Sequence, residues 1–114
     1  MCGRYQLSLP LEDIESIFAA TARSVFHPRY NIAPTQVVPI IRPCLGRREI
    51  VGVRWGLVPA WAQDGPTGKP LINARSETAA HKPSFRDALR YGRCLIPASG
   101  FYEWRRQGRI KSPH

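Results

Sequence analysis

The sequence predicts an α+β domain built from short elements, and three observations carry that reading. Apolar residues recur at helical spacing over residues 9–20 and again over 83–90. β-Rich runs occupy Val37 to Ile41, Glu49 to Trp55, Arg93 to Pro97 and Phe101 to Arg106. The chain has 114 residues, the length of about one domain, and no repeat, low-complexity tract or linker divides it.

The first helix rests on Leu11, Ile14, Ile17 and Phe18, with Ser8 as candidate cap and Pro10 in the first turn, where its missing N–H is tolerated. RYNIAPTQ then places a turn at Ala33-Pro34-Thr35 before the strand from Val37, which Pro39 assigns to a sheet edge or a bulge. WGLVPAWAQDGPTGKP, residues 55–70, holds three prolines, three glycines and two tryptophans, so it is a loop carrying large aromatic surface. Trp55 ends a strand pattern and is expected to plug the core, whereas Trp61 is the surface candidate. Asn73 or Ser76 is positioned to cap a helix, and Phe85, Ala88 and Leu89 are the inward residues of the next one. Gln107-Gly108 signals a hairpin, glycine supplying the positive φ. His114 falls inside that hairpin's second strand, so the domain is expected to be incomplete at this end.

Composition narrows the partners. With 43% hydrophobic and 22% charged residues and no apolar run near membrane-spanning length, the chain reads as soluble and globular. The start MCGRYQLS has no apolar signal core, so a reducing, cytoplasmic setting is expected, nucleoid-associated in a bacterium. Cys2, Cys44 and Cys94 lack CxxC pairing or a His at ligand spacing, so thiols are expected and no metal or cofactor. Seventeen basic residues stand against eight acidic ones, a net charge of +9. That balance points to an anionic partner, with nucleic acid first. Arginine dominates the basic set, and its planar fork matches phosphate oxygens and stacks on bases better than an ammonium does. The plainer reading is a solvated basic surface without a partner.

Cys2 directly follows the initiator Met. If that Met is removed, cysteine becomes the first residue, which combines an α-amine of ordinary pKa about 7.7–8.0 with a thiol near 8.5. The amine condenses with an aldehyde to an imine, and the thiolate closes on the same carbon to give a thiazolidine. A ring-opened abasic deoxyribose is such an aldehyde, embedded in the polyanion that the arginines predict. The alternative is an ordinary frayed terminus.

Five segments, MCGRY, RYNIAPTQ, WGLVPAW, INARSET and RCLIPASGFYEW, together span nearly the whole chain and resemble the SOS response-associated peptidase (SRAP) family. The resemblance implies a mixed, strongly curved sheet with short flanking helices, residues 1–114 forming the N-terminal portion of one such domain. It further implies a protein, expected to be monomeric, that binds single-stranded DNA, recognises an abasic site and links its terminal cysteine, here Cys2, to the sugar as a thiazolidine in the DNA damage response. By position, Asn73 resembles the asparagine that holds amine and sugar. Glu103 matches the glutamate that moves protons during ring opening and imine formation. Arg4 and Arg75 match phosphate-binding positions, and Pro34 and Trp61 match apolar groups pressed against bases. Arg86 is a weaker phosphate candidate, and Gly3 lets the backbone approach the sugar.

The family's domain is about twice this length and carries a catalytic histidine in its second half. His27, His81 and His114 do not lie in that motif and do not inherit its role. An imine path also allows β-elimination, hence a lyase side activity. Two rivals stand beside this reading: a thiol peptidase using Cys2 as nucleophile, and a noncatalytic arginine-rich single-stranded DNA-binding fragment.

Overall fold

A computed structural model describes residues 2–59, 61–62, 70–107 and 110–113. In chain order its elements are β1 (Tyr5–Leu7), α1 (Leu11–Phe18), β2 (Thr21–Ala22), β3 (Arg29–Ile32), β4 (Val37–Cys44), β5 (Arg47–Arg54), α2 (Arg86–Tyr91), β6 (Gly100–Phe101), β7 (Trp104–Gln107) and β8 (Ile110–Pro113). The class is α+β, and the strands divide between two sheets and a hairpin. One sheet runs β3-β1-β6 and is antiparallel; the other runs β2-β5-β4, with β2 parallel and β4 antiparallel to β5. β7 and β8 form the hairpin, in register Gln107 with Ile110, and its turn at Gly108 lies outside the described residues.

Pro10 decides where α1 begins. Proline disfavours helical backbone in the residue before it, so the helix cannot extend back to Leu9 and Ser8 is not its cap. Pro10 itself is the N-cap, at φ −60° and ψ 151°, and its carbonyl accepts the amides of Asp13 and Ile14 at 3.1 and 3.3 Å. Ser8 instead donates its backbone N–H to Ser99 Oγ, 2.9 Å away. The helix stops at Ala19, which is left-handed at φ 49° and ψ 52°, and Ala20 N–H returns to the Glu15 carbonyl at 3.1 Å.

β4 lies at its sheet's edge, as Pro39 requires. Arg93 to Pro97 is not a strand. It makes a single bridge, Leu95 exchanging both backbone hydrogen bonds with Ile41 at 2.9 Å, because Pro97 has no amide to continue the ladder. No helix starts at Asn73 or Ser76 either. The chain there makes successive turns, with the amides of Thr78 and Ala79 on the Arg75 carbonyl and those of His81 and Lys82 on the Thr78 carbonyl, and α2 begins only at Arg86. α2 buries none of its residues, and Leu89, expected inward, is exposed.

The core joins both sheets and α1: Tyr5 and Leu7 of β1, Ile14 of α1, Ile32 of β3, Val38, Ile40 and Ile41 of β4, and Ile50 of β5. Trp55 packs against that cluster and meets Tyr5 edge-on, with ring centroids 5.5 Å apart. Its indole N–H donates to the Ile72 carbonyl at 3.2 Å. A second tie, Leu57 to Leu71, closes the base of the loop that begins at Trp55. Among the described residues no helix is long and apolar enough to cross a membrane.

Candidate functional site

Where the two sheets part, an open cleft of roughly 800 Å3 remains. Val38 and Ile40 of β4, Val53 of β5, Leu57 and Leu71 from the closed base of the loop, and Phe101 of β6 make it largely apolar. Polar groups enter it from Cys2, Asn73, Arg54 and Cys94. Tyr5 also lines it, and the Tyr5 hydroxyl is buried without a hydrogen-bond partner among the described residues. Burial pushes the pKa of this phenol above its ordinary value; Arg29 opposes the rise and Cys2 adds to it.

Cys2 and Asn73 are 71 residues apart in sequence, yet Asn73 Nδ2 donates to the Cys2 carbonyl at 2.9 Å. Asn73 reaches that position because the Leu57–Leu71 bridge and the Trp55–Ile72 hydrogen bond fix the chain just before it. Asn73 is therefore a tether for the amino terminus, not a helix cap. The Cys2 thiol lies 3.7 Å from the Arg4 carbonyl, a weak sulfur donor contact.

Glu103 reaches the same neighbourhood through the backbone. Antiparallel pairing of β1 with β6 sets Tyr5 opposite Phe101, and the Tyr102 amide continues it by donating to the Arg4 carbonyl at 2.9 Å. Glu103 follows Tyr102 directly, next to this tie to Arg4. Its side chain is exposed and is not among those lining the cleft. The Tyr102 hydroxyl donates to the Tyr30 carbonyl at 2.9 Å, locking this end of the sheet.

The basic and apolar candidates are more spread out. Arg4 folds back to donate to the Gly3 carbonyl at 3.1 Å. Pro34 sits in a turn held to the cleft's border, since Thr35 N–H donates to the Trp55 carbonyl at 2.8 Å and Trp55 N–H to the Gln36 carbonyl at 3.0 Å. Thr35 takes φ 73°, a left-handed conformation that those bonds maintain. Trp61 is exposed, Arg75 is exposed at the turn after Asn73, and Arg86 is exposed at the start of α2. None of Arg4, Pro34, Trp61, Arg75 and Arg86 lines the cleft, whereas Cys2 and Asn73 do.

Arg54 and Cys94 also belong to the cleft, although the sequence reading gave neither a site role; Cys94 lies within the RCLIPASGFYEW segment. Arg54 ends β5, paired with Val37, and reaches the cleft beside Trp55 where the strand gives way to the loop. Cys94 precedes the Leu95 bridge and is exposed, and partial desolvation raises its thiol above the ordinary value. All three cysteines are free, and among the described residues no group of three or more His, Cys, Asp and Glu is arranged to hold a metal ion.

Comparison with known proteins places this geometry in context. The family model described as SOS response associated peptidase (SRAP) matches residues 1–114. The abasic site processing protein YoqW of Bacillus subtilis (strain 168) is 43% identical over 109 residues, covering 93% of this chain and 49% of that protein. The abasic site processing protein YedK of Escherichia coli (strain K12) is 36% identical over 119 residues, covering 99% of this chain and 52% of its own length. A crystal structure of a protein from Bacteroides thetaiotaomicron superposes with a TM-score of 0.80 at 26% identity, over 98% of this chain and 52% of the other. The chain thus spans about half the length of the curated relatives it matches. On the match along its whole length and on these relatives, the chain belongs to the SOS response associated peptidase (SRAP) family.

Proposed function

We propose that this chain recognises abasic sites in single-stranded DNA and captures them covalently through Cys2, once the initiator Met is removed. The observation that carries the reading is the Asn73–Cys2 hydrogen bond. It spends a long-range polar contact on holding the amino-terminal residue at an open cleft, where an ordinary terminus would fray. The names of YoqW and YedK, both abasic site processing proteins, support the same substrate.

The chemistry follows from the aminothiol. The α-amine adds to the aldehyde carbon of the ring-opened sugar, and loss of one water gives an imine. The Cys2 thiolate then attacks the imine carbon while the nitrogen takes up a proton, closing a thiazolidine. The sum is aldehyde plus aminothiol giving thiazolidine plus water. Glu103, the residue after the Tyr102–Arg4 tie, relays protons to the sugar oxygen during ring opening and from the amine during dehydration. Asn73 positions the terminus, Arg4 and Arg75 serve flanking phosphates, Arg86 a more distant one, and Pro34 and Trp61 pack against bases.

Intact-mass measurement after mixing the purified chain with abasic single-stranded DNA tests this reading. The expected result is a species heavier by the DNA less one water, seen only for chains lacking Met1 and absent for intact DNA. Cys2→Ser keeps the amine and is expected to leave only a reversible, reducible imine. An equally persistent adduct from Cys2→Ser would falsify the role given to sulfur. No adduct from a chain with a free Cys2 amine rejects the whole reading, and peptide cleavage in its place favours the thiol peptidase.

A further inference from the structure

The β2-β5-β4 sheet carries a second charged feature on the face that lines the cleft. Side chains alternate along a strand, so Arg42 follows Val38 and Ile40 on one face. The register sets Arg42 opposite Glu49, and Glu49 opposite Thr21. Glu49 is only 7% exposed, and each of its oxygens is engaged by a different arginine. Oε1 accepts from Arg42 Nε at 2.8 Å and Oε2 from Arg23 Nε at 3.0 Å. The two arginine side chains nevertheless remain 50% and 62% exposed. A carboxylate that grips two guanidinium forks by their Nε edges leaves the outer edges turned toward solvent. It also fixes their orientation, which removes part of the rotamer entropy that a free arginine loses on binding.

Arg47 pairs with Cys44 at the end of the hairpin and borders the same hollow, a space of about 380 Å3 lined also by Thr21, Arg23, Arg48 and Glu49. Arg48 is braced by donating to the Phe18 carbonyl at 2.9 Å. Two guanidiniums therefore hold the carboxylate and two more border the hollow beside it, so four positive charges stand against one negative. Along β4, Val38 and Arg42 are four residues apart, about 13 Å at strand spacing. A strand with one base at the cleft can therefore place a neighbouring phosphate here.

We propose that the hollow lined by Arg23, Arg47 and Arg48, with Arg42 held beside it on Glu49, is a phosphate station for the nucleic-acid backbone, holding the strand that flanks the cleft. The inference rests on the nucleic-acid reading above, but not on its covalent step. Planar forks presented edge-on suit the paired oxygens of a phosphodiester, and Glu49 is the positioning residue that keeps two of them presented.

The test is binding of a fluorescent twelve-nucleotide oligothymidylate to the full chain across a potassium chloride series, with adduct formation on the abasic version of the same oligonucleotide read in parallel. Arg47→Glu is exposed at the hairpin end and is expected to weaken binding at low salt about fivefold or more. It should also flatten the log–log salt slope by about 0.7, one phosphate for a single strand. Glu49→Gln raises the net charge by one, so unspecific attraction predicts tighter binding, whereas the loss of the anchor predicts binding no tighter than the parent's. A parental affinity and slope for Arg47→Glu, or tighter binding by Glu49→Gln, overturns the station. If the parent binds in an Arg47-dependent way but forms no adduct, the station stands and the covalent reading falls; an adduct without any Arg47 effect gives the reverse.

Discussion

Asn73 and Cys2 meet through a single hydrogen bond, and its removal has a defined consequence. Losing one part-buried side-chain donor is worth about 1 kcal/mol, somewhat more where the carbonyl left behind is shielded from water. Asn73→Ala leaves the aminothiol chemically intact but lets the terminus sample more orientations, so the rate of capture falls about tenfold while the final yield does not. Asn73→Asp, which turns an acceptor toward the Cys2 carbonyl, should be slower still. Single-turnover adduct formation followed on denaturing gels measures both, and parental rates in both variants remove Asn73 from any positioning role. Glu49 shows how charge works at the same scale. Its hydrogen bonds from Arg42 and then Arg23 hold its carboxyl below the ordinary value of 4.5. A depressed carboxylate stabilises the fold above its unfolded pKa, and that contribution is lost as pH falls through the folded one. The anchor of the arginine pair is therefore intact at neutral pH and released only in acid.

Elements defined by local chemistry were legible from the chain alone, and those defined by distant partners were not. Ile14 and Phe18 betray α1 because helical periodicity needs no outside information, and Pro39 marks an edge because a missing amide is local too. Ser8 misleads as a cap because Pro10, two residues on, overrides it. Arg93 to Pro97 alternates like a strand, yet strand formation depends on a neighbour, and Pro97 ends the pairing with Ile41 after one bridge. Within the site, MCGRY, INARSET and RCLIPASGFYEW contain Cys2, Asn73 and Cys94, while Arg54 at the cleft and the Arg23–Glu49–Arg42 ladder depend on how distant segments meet and carry no pattern. Local chemistry also leaves α1 open to improvement. Ala19 closes the helix in left-handed backbone, a region where a Cβ costs about 1–2 kcal/mol and glycine little. Ala19→Gly should accordingly stabilise the chain by about 0.5–1 kcal/mol, read as a higher urea midpoint at unchanged slope; a lower midpoint would mean that the αL geometry is not the state α1 ends in.

At the scale of the molecule, the cleft exists because two sheets share one small core and then diverge. Tyr5 and Leu7 come from one sheet, Val38, Ile41 and Ile50 from the other, and Ile14 from α1, all in a single buried cluster. Trp55 stands between this cluster and the opening, set edge-on to Tyr5 and lining the cleft with Cys2 and Asn73. The site is therefore held by the core as a whole, and weakening the core far from the cleft must reach it. Ile50 is fully buried on β5 and makes the cleanest probe. Truncating such a side chain to alanine costs about 2–5 kcal/mol through lost transfer energy and the cavity left behind, a large part of the 5–15 kcal/mol that usually holds a domain together. If the sheets form one cooperative unit, Ile50→Ala shifts urea unfolding to lower concentration equally by tryptophan fluorescence, which Trp55 makes sensitive to the cleft, and by far-ultraviolet circular dichroism. Should the fluorescence midpoint stay put while the dichroism midpoint moves, the cleft is supported by the β3-β1-β6 sheet alone, and the reach from Ile50 to Cys2 argued here does not exist.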